Sequence, residues 1–227
     1  MLVLALDTAT PASAAALVRI TAEGLEPIAE RRTVDPRAHG ERLAPQVAAV
    51  LAEAGVRPGE LGAIVVGLGP GPFTGLRVGL ATAASMGQAL GIPTYGVCSL
   101  DGLGRAAGPG RVLVATDARR REVYFATYLD GVRVSGPDVA RPAEVAAIIN
   151  AGAPGSGIER GAGEGVLNHG DLFGVPLDLP LLYPPPAALV ALAAERIRAG
   201  APSEALTPLY LRRPDAVEPA ARKPVLT

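Results

Sequence analysis

From Leu61 to Leu100 the chain carries a single charged residue, Arg77. So long a stretch with almost no charge belongs either in a lipid bilayer or in a packed protein interior. Pro70, Pro72, Pro93 and repeated glycines interrupt it, which rules out a continuous membrane-spanning helix. It reads instead as buried strand, turn, helix and strand. Ala63 to Gly67 is a fully apolar run of strand length. The loop Gly67-Leu68-Gly69-Pro70-Gly71-Pro72 follows, then a long helix from about Phe73 to Leu90 that Gly91 ends. Ile92 to Val97 forms another buried strand, with a short helix after Ser99.

Around this block the chain alternates in the same way. Leu2 to Leu6 reads as a strand closed by Asp7-Thr8 and the turn at Pro11; Ser13 to Ile20 and Pro27 to Val34 return as two more strands. Leu43, Val47, Val50, Leu51 and Ala54 mark one face of a helix that Gly55 and Pro58 stop. Pro45 fits only if that helix begins close to it. Farther on come strands at Arg111 to Thr116 and Glu122 to Leu129, a glycine- and proline-rich loop from Ala151 to Gly165, and a helix from Pro186 to Arg198. Val3-Leu4-Ala5-Leu6-Asp7 matches Leu113-Val114-Ala115-Thr116-Asp117 as apolar strand, aspartate, turn and second strand. Such a repeat signals two related lobes.

Charge and residue usage exclude several functions. The net charge is −1, so no chain-wide basic surface exists to hold nucleic acid. Lys223 is the only lysine, which leaves none for a P-loop, a Schiff base or a Ser-Lys pair. A lone Cys98 excludes an internal disulfide and a cysteine metal cluster, and His39 and His169 lack metal-ligand spacing. Asp7 interrupts the first apolar run, so it is not a signal peptide, and a cytoplasmic location is expected.

The loop of Gly67, Gly69, Pro70 and Gly71 ahead of Phe73 and Thr74 is the most specific local feature. It lacks the lysine of a Walker A loop. It also lacks the third glycine and the acidic residue of a dinucleotide fingerprint. It serves either as a structural turn or as an anion cradle at a helix N-terminus. Gly75, Gly79, Ala83 and Gly87 then recur every fourth residue, a smooth stripe that packs either on the chain's own sheet or against another chain. Asp7 and Asp117, each at a strand end, are capping residues or phosphate and metal positions. Arg119-Arg120-Arg121 either touches RNA phosphates or protects a sheet edge.

Six blocks taken together resemble the TsaB (YeaZ) family. They are Leu4-Ala5-Leu6-Asp7-Thr8-Ala9-Thr10, Ala38-His39-Gly40-Glu41-Arg42-Leu43, Gly67 to Gly79, Ile92 to Leu100, Asp117 to Tyr124 and Leu209-Tyr210-Leu211-Arg212. The Gly-x-Gly-Pro-Gly-x-Phe-Thr-Gly-x-Arg pattern is the specific one. Pro72 departs from it, standing where the family commonly has serine, and stiffens the loop.

The resemblance implies an α/β fold of two RNase H-like lobes of the actin-like ATPase (ASKHA) type, each a mixed sheet with helices, the C-terminal one reduced. Residues 1–108 would form the first lobe, 109–214 the second and 215–227 a flexible tail. It further implies a non-catalytic subunit that pairs as a heterodimer with its paralogue TsaD. TsaD forms N6-threonylcarbamoyladenosine at position 37 of tRNAs reading codons that begin with A. The ATPase TsaE would engage the pair and tRNA would be reached indirectly. Alone, the chain would homodimerise through the same helices. TsaD carries a His-x-Glu-Gly-His metal motif where this chain has Ser99-Leu100-Asp101-Gly102-Leu103. No cofactor or metal is therefore expected, and Asp7, Thr8 and Asp117 would be vestiges of a nucleotide site. Docking would fall on the two helices carrying Leu43, Val47, Val50 and Leu51, and Gly75, Leu76, Gly79, Leu80, Ala83 and Gly87. The alternative is a stand-alone nucleotide-dependent enzyme of the actin-like superfamily, the class to which older glycoprotease descriptions belong.

Overall fold

The computed structural model describes residues 1–151, 157–178 and 181–212. Its first sheet is built from β1 (Leu2–Asp7), β2 (Ala12–Ile20), β3 (Leu25–Val34), β4 (Leu61–Gly67) and β5 (Thr94–Val97), in the order β3-β2-β1-β4-β5. β1 and β4 are apolar along nearly their whole length because both of their faces are covered. β1–β2 and β2–β3 are antiparallel hairpins, whereas β1–β4 and β4–β5 are parallel. The parallel pairs need crossovers, supplied by α1 (His39–Ala54) and α2 (Phe73–Leu90). Leu43, Val47, Val50 and Leu51 of α1 and Leu76, Leu80 and Ala83 of α2 join Leu4, Leu6, Ile64 and Val66 in one core on that face.

The second sheet repeats the plan. β6 (Arg111–Asp117), β7 (Val123–Leu129), β8 (Val132–Ala140) and β9 (Arg160–Ala162) lie in the order β8-β7-β6-β9. β6–β7 and β7–β8 are antiparallel and β6–β9 is parallel, as in the first sheet; in place of a fifth strand the described residues show a single parallel bridge from Leu177 to Gly161 of β9. α4 (Pro142–Asn150) and α5 (Glu164–Phe173) cover one face through Val145, Ile149, Val166 and Phe173.

Packing crosses the chain order. α3 (Ser99–Ala107) puts Leu100 and Leu103 against Val112, Val114 and Tyr128 of the second sheet. α6 (Pro186–Arg198), which follows the second lobe in sequence, puts Leu189, Val190, Ala193 and Ile197 on the open face of the first sheet. Residues 201–212 then run back along β5. Glu204 N–H donates to Thr94 O at 2.9 Å and Leu209 N–H to Leu68 O at 2.8 Å.

Several local expectations need correction. α1 begins at His39, six residues before Pro45, so the proline sits inside the helix on its exposed side. The last strand of the first sheet starts at Thr94, because Ile92 and Pro93 turn out of α2 into it. The glycine-rich run from Ala151 to Gly165 contains β9 and the first turn of α5 and is not loop throughout. The tail at 215–227 lies outside the described residues. Among the described residues no helix is long and apolar enough to cross a membrane.

Candidate functional site between the lobes

β1 and β4 lie side by side, and their C-terminal ends bring the β1–β2 turn against the glycine loop. The fit is close. A side chain at Gly67 would run into Asp7 Oδ2 and reach within 2.5 Å of Ser99 Oγ, and one at Gly71 would run into the carbonyl of Ala9. Gly69 has φ +91°, which favours glycine, and is joined to Pro70 by a cis peptide bond. Its N–H donates to Ser99 Oγ at 3.3 Å, while Ser99 N–H donates to Gly69 O at 2.8 Å. The loop's smallness thus serves its own chain. Its glycines approach Asp7 and Ala9, which is the structural-turn alternative.

Asp7 is fully buried. Its Oδ1 accepts from Ala9 N–H at 3.0 Å and its Oδ2 from Ser99 Oγ at 2.6 Å. Burial raises its carboxyl to about 6, and the Ser99 and Ala9 hydrogen bonds only partly offset that. Thr8 is equally buried, and its Oγ1 accepts from the Gly79 N–H at 3.1 Å. His39, at the start of α1, places Nε2 2.8 Å from Thr10 O and pins that helix to the same turn.

Asp117 repeats the geometry in the second lobe, where its Oδ1 accepts from Arg119 N–H two residues on, at 3.2 Å. Glu164 at the start of α5 accepts from Asp117 N–H at 3.4 Å. Burial first, and then the charge of Asp117, raises its carboxyl to about 7 despite the Asp117 N–H. Glu164 was invisible in the sequence because it lies in a run whose glycines read as loop. A cavity of about 510 Å³ opens between the lobes, lined by Thr8, Thr10, His39, Thr74, Asp117 and Arg119 among others. Asp7 stands behind this lining, so the three candidate vestiges do not converge on one open site.

The two positions corresponding to metal-binding histidines differ in surroundings. Ser99 is occupied by Asp7 and Gly69, and Leu103 is wholly buried against the second sheet. Neither side chain offers a metal donor comparable to imidazole. Among the described residues no group of three or more His, Cys, Asp or Glu side chains is arranged to hold a metal ion. Burial pushes the Cys98 thiol up to about 11, as suits an inert core residue.

The expected docking residues turn inward, which corrects the choice of helix face. Leu43, Val47, Val50, Leu51, Gly75, Leu76, Gly79, Leu80, Ala83 and Gly87 are all buried within the chain itself. The small-residue stripe packs on the first lobe: side chains at Gly75 and Gly79 would meet Thr8, and one at Gly87 would meet Thr94. The outward faces of the same two helices carry Ala44, Ala48 and Ala52 beside Glu41, Arg42 and Glu53 on α1, and Ala81, Ala84, Ser85 and Gln88 on α2. Arg77 is the single charge on the whole of α2. The exposed surface of α2, small and nearly uncharged, was masked in the sequence by the more conspicuous glycine period.

Comparison with known proteins follows the same lines. The family model "TsaD: tRNA N6-adenosine threonylcarbamoyltransferase" matches residues 31–216. An uncharacterized protein of Mycobacterium tuberculosis is 52% identical over 217 residues, covering 94% of this chain and 93% of that protein. The tRNA threonylcarbamoyladenosine biosynthesis protein TsaB of Escherichia coli is 37% identical over 132 residues, 56% of this chain and 55% of that protein. A Mycobacterium leprae relative is 50% identical, but the match spans only 56% of its length. Among solved structures, YeaZ from Pseudomonas aeruginosa superposes with a TM-score of 0.75 at 32% identity, covering 92% of this chain and 100% of that one.

Proposed function

The chain belongs to the TsaB (YeaZ) family, and on that premise we propose that it is the non-catalytic subunit that pairs with TsaD in forming N6-threonylcarbamoyladenosine on tRNA. One observation carries the non-catalytic part. The segment Ser99 to Leu103, which in TsaD would present metal-binding histidines, here spends its first side chain on Asp7 and its last in the core. Ser99 and Leu103 thus supply no imidazole donor that could hold a metal to polarise a carbamoyl group or a phosphate.

The pairing surface is the outward face of α1 and α2. Exposed alanines on both helices let a second helix pair approach closely, and the single charge on α2 keeps the desolvation cost of covering that helix low. TsaE engages the assembled pair. When TsaD is absent, the same face is available to a second copy of this chain through a two-fold contact.

Reconstitution tests the assignment directly. TsaD with this chain is expected to modify an unmodified tRNA, and each protein alone is expected to fail. Threonylcarbamoyl transfer by this chain alone, or full activity of TsaD without it, would overturn the proposal. So would the absence of a complex in sedimentation at micromolar concentrations.

A further inference from the structure

The arginine turn at 119–121 has no place in the proposed pairing, and its surroundings are unusual. Arg119, Arg120 and Arg121 have φ of 59°, 53° and 62°, three successive non-glycine residues in the left-handed region. Such a run is disfavoured unless neighbours hold it. Here they do. Arg119 N–H donates to Asp117 Oδ1, Glu122 N–H to Arg119 O at 3.0 Å and Ala118 N–H to Glu122 O at 3.0 Å. From the C-terminal segment, Arg212 donates to Arg119 O at 3.0 Å and its Nε to Glu122 Oε2 at 2.9 Å. Protection of a sheet edge does not account for the turn, because β6 and β7 are the inner strands of their sheet and the edges are β8 and β9.

Two residues before Arg212 lies Tyr210, whose ring stacks on Phe73 with centroids 5.3 Å apart. Phe73 is 53% exposed and Tyr210 42% exposed. Arg77 lies 3.8 Å from the Phe73 ring centre and donates to the Tyr210 hydroxyl at 3.0 Å. Arg37, Thr74 and Arg119 all line the interlobe cavity. One rim therefore gathers Arg37, Arg77, the three turn arginines and Arg212 around an exposed aromatic pair. Asp35, Asp117, Glu122 and Glu164 lie among them, in a chain whose net charge is −1.

We propose that this rim is an RNA-docking surface, in which the turn arginines contact backbone phosphates and the Phe73–Tyr210 pair takes an unstacked base. Preset arginines and exposed aromatic rings are the two components of single-stranded or loop RNA recognition. The choice of RNA over another polyanion rests on the proposed role in tRNA modification; the contact itself does not depend on pairing with TsaD.

The test is binding of an unmodified tRNA transcript, followed by fluorescence anisotropy across a salt series, to the chain alone and to its complex with TsaD. The triple variant R119G/R120G/R121G suits the left-handed turn, so it keeps the fold while removing the charges. It is expected to bind about tenfold more weakly or worse at low salt, with the log–log salt slope reduced by about 2–3. The corresponding triple arginine-to-lysine variant restores the slope. F73A/Y210A weakens binding about tenfold with the slope unchanged. Sedimentation with TsaD is read on the arginine-turn variants, which lie off the pairing helices, and is expected to be unaltered. Unchanged affinity and slope in both settings would overturn the proposal, as would loss of TsaD pairing that fully accounts for lost RNA retention, since the rim would then be a protein contact. Failure of the wild-type chain to pair with TsaD would sink the subunit assignment, while the RNA measurement on the chain alone still decides the rim.

Discussion

Ser99 Oγ donates a 2.6 Å hydrogen bond to Asp7 Oδ2, joining residues 92 positions apart at the point where β4 ends. Gly67 lies against both, with no room for a side chain. G67A is therefore expected to lose about 3 kcal/mol, the upper end for overpacking a tight core. Chemical denaturation measures it; a loss below about 0.5 kcal/mol would mean the contact relaxes freely.

The same pair sets a pH dependence. The Asp7 carboxyl is raised from 3.8 to about 6, so the folded state holds this proton more tightly than the unfolded chain does. The stabilisation from that proton is present at low pH and is lost as pH rises from about 4 to about 6. D7N removes the penalty of a buried charge while its side-chain oxygen still accepts from Ala9 N–H. It should be more stable than wild type at pH 7 by about 2–3 kcal/mol and equal to it near pH 4. Melting curves across this range check it; parallel curves for the two proteins would refute the shift. Glu164, raised to about 7, leaves a residual slope in both.

The two faces of α2 are separable by mutation. G79A puts a methyl 2.5 Å from Thr8 Oγ1 and should cost about 1–3 kcal/mol in stability. A84R, on the outward face, should leave unfolding within about 0.5 kcal/mol of wild type yet weaken pairing with TsaD by tenfold or more. If A84R and A48R both pair normally by calorimetry, the outer face of these helices is not the contact.

Arg212 ties the C-terminal segment to the arginine turn while a quarter to a third of its side chain and that of Glu122 remain exposed. R212A should therefore cost only about 1 kcal/mol overall. Its sharper effect is local, as amide exchange at residues 119–122 should quicken well beyond the rest of β6 and β7.

How much of this was legible in the sequence differs between the lobes. The first sheet announces itself, since β1 and β4 are unbroken apolar runs and Asp7, Gly55 and Gly91 punctuate them. In the second lobe β8 contains Gly136 and Pro137 and is largely exposed, so it has neither the composition nor the alternation of a core strand. α5 contains Gly165, Gly170 and a non-helical His169, and packing of Val166 and Phe173 overrides weak local propensity. The glycine stripe of α2 was visible, but smallness signals only that something comes close. Burial on Thr8 and Thr94 assigns that neighbour to the chain itself.

The position of α6 has a bearing on synthesis. Val3, Ala5, Val18 and Val65 wait for a cover that is encoded at 186–198, more than a hundred residues after their own strands are made. A nascent chain emerging from the ribosome thus carries one naked hydrophobic sheet face until the second lobe has been translated. The first lobe, although first in sequence, is the last to become safe from aggregation.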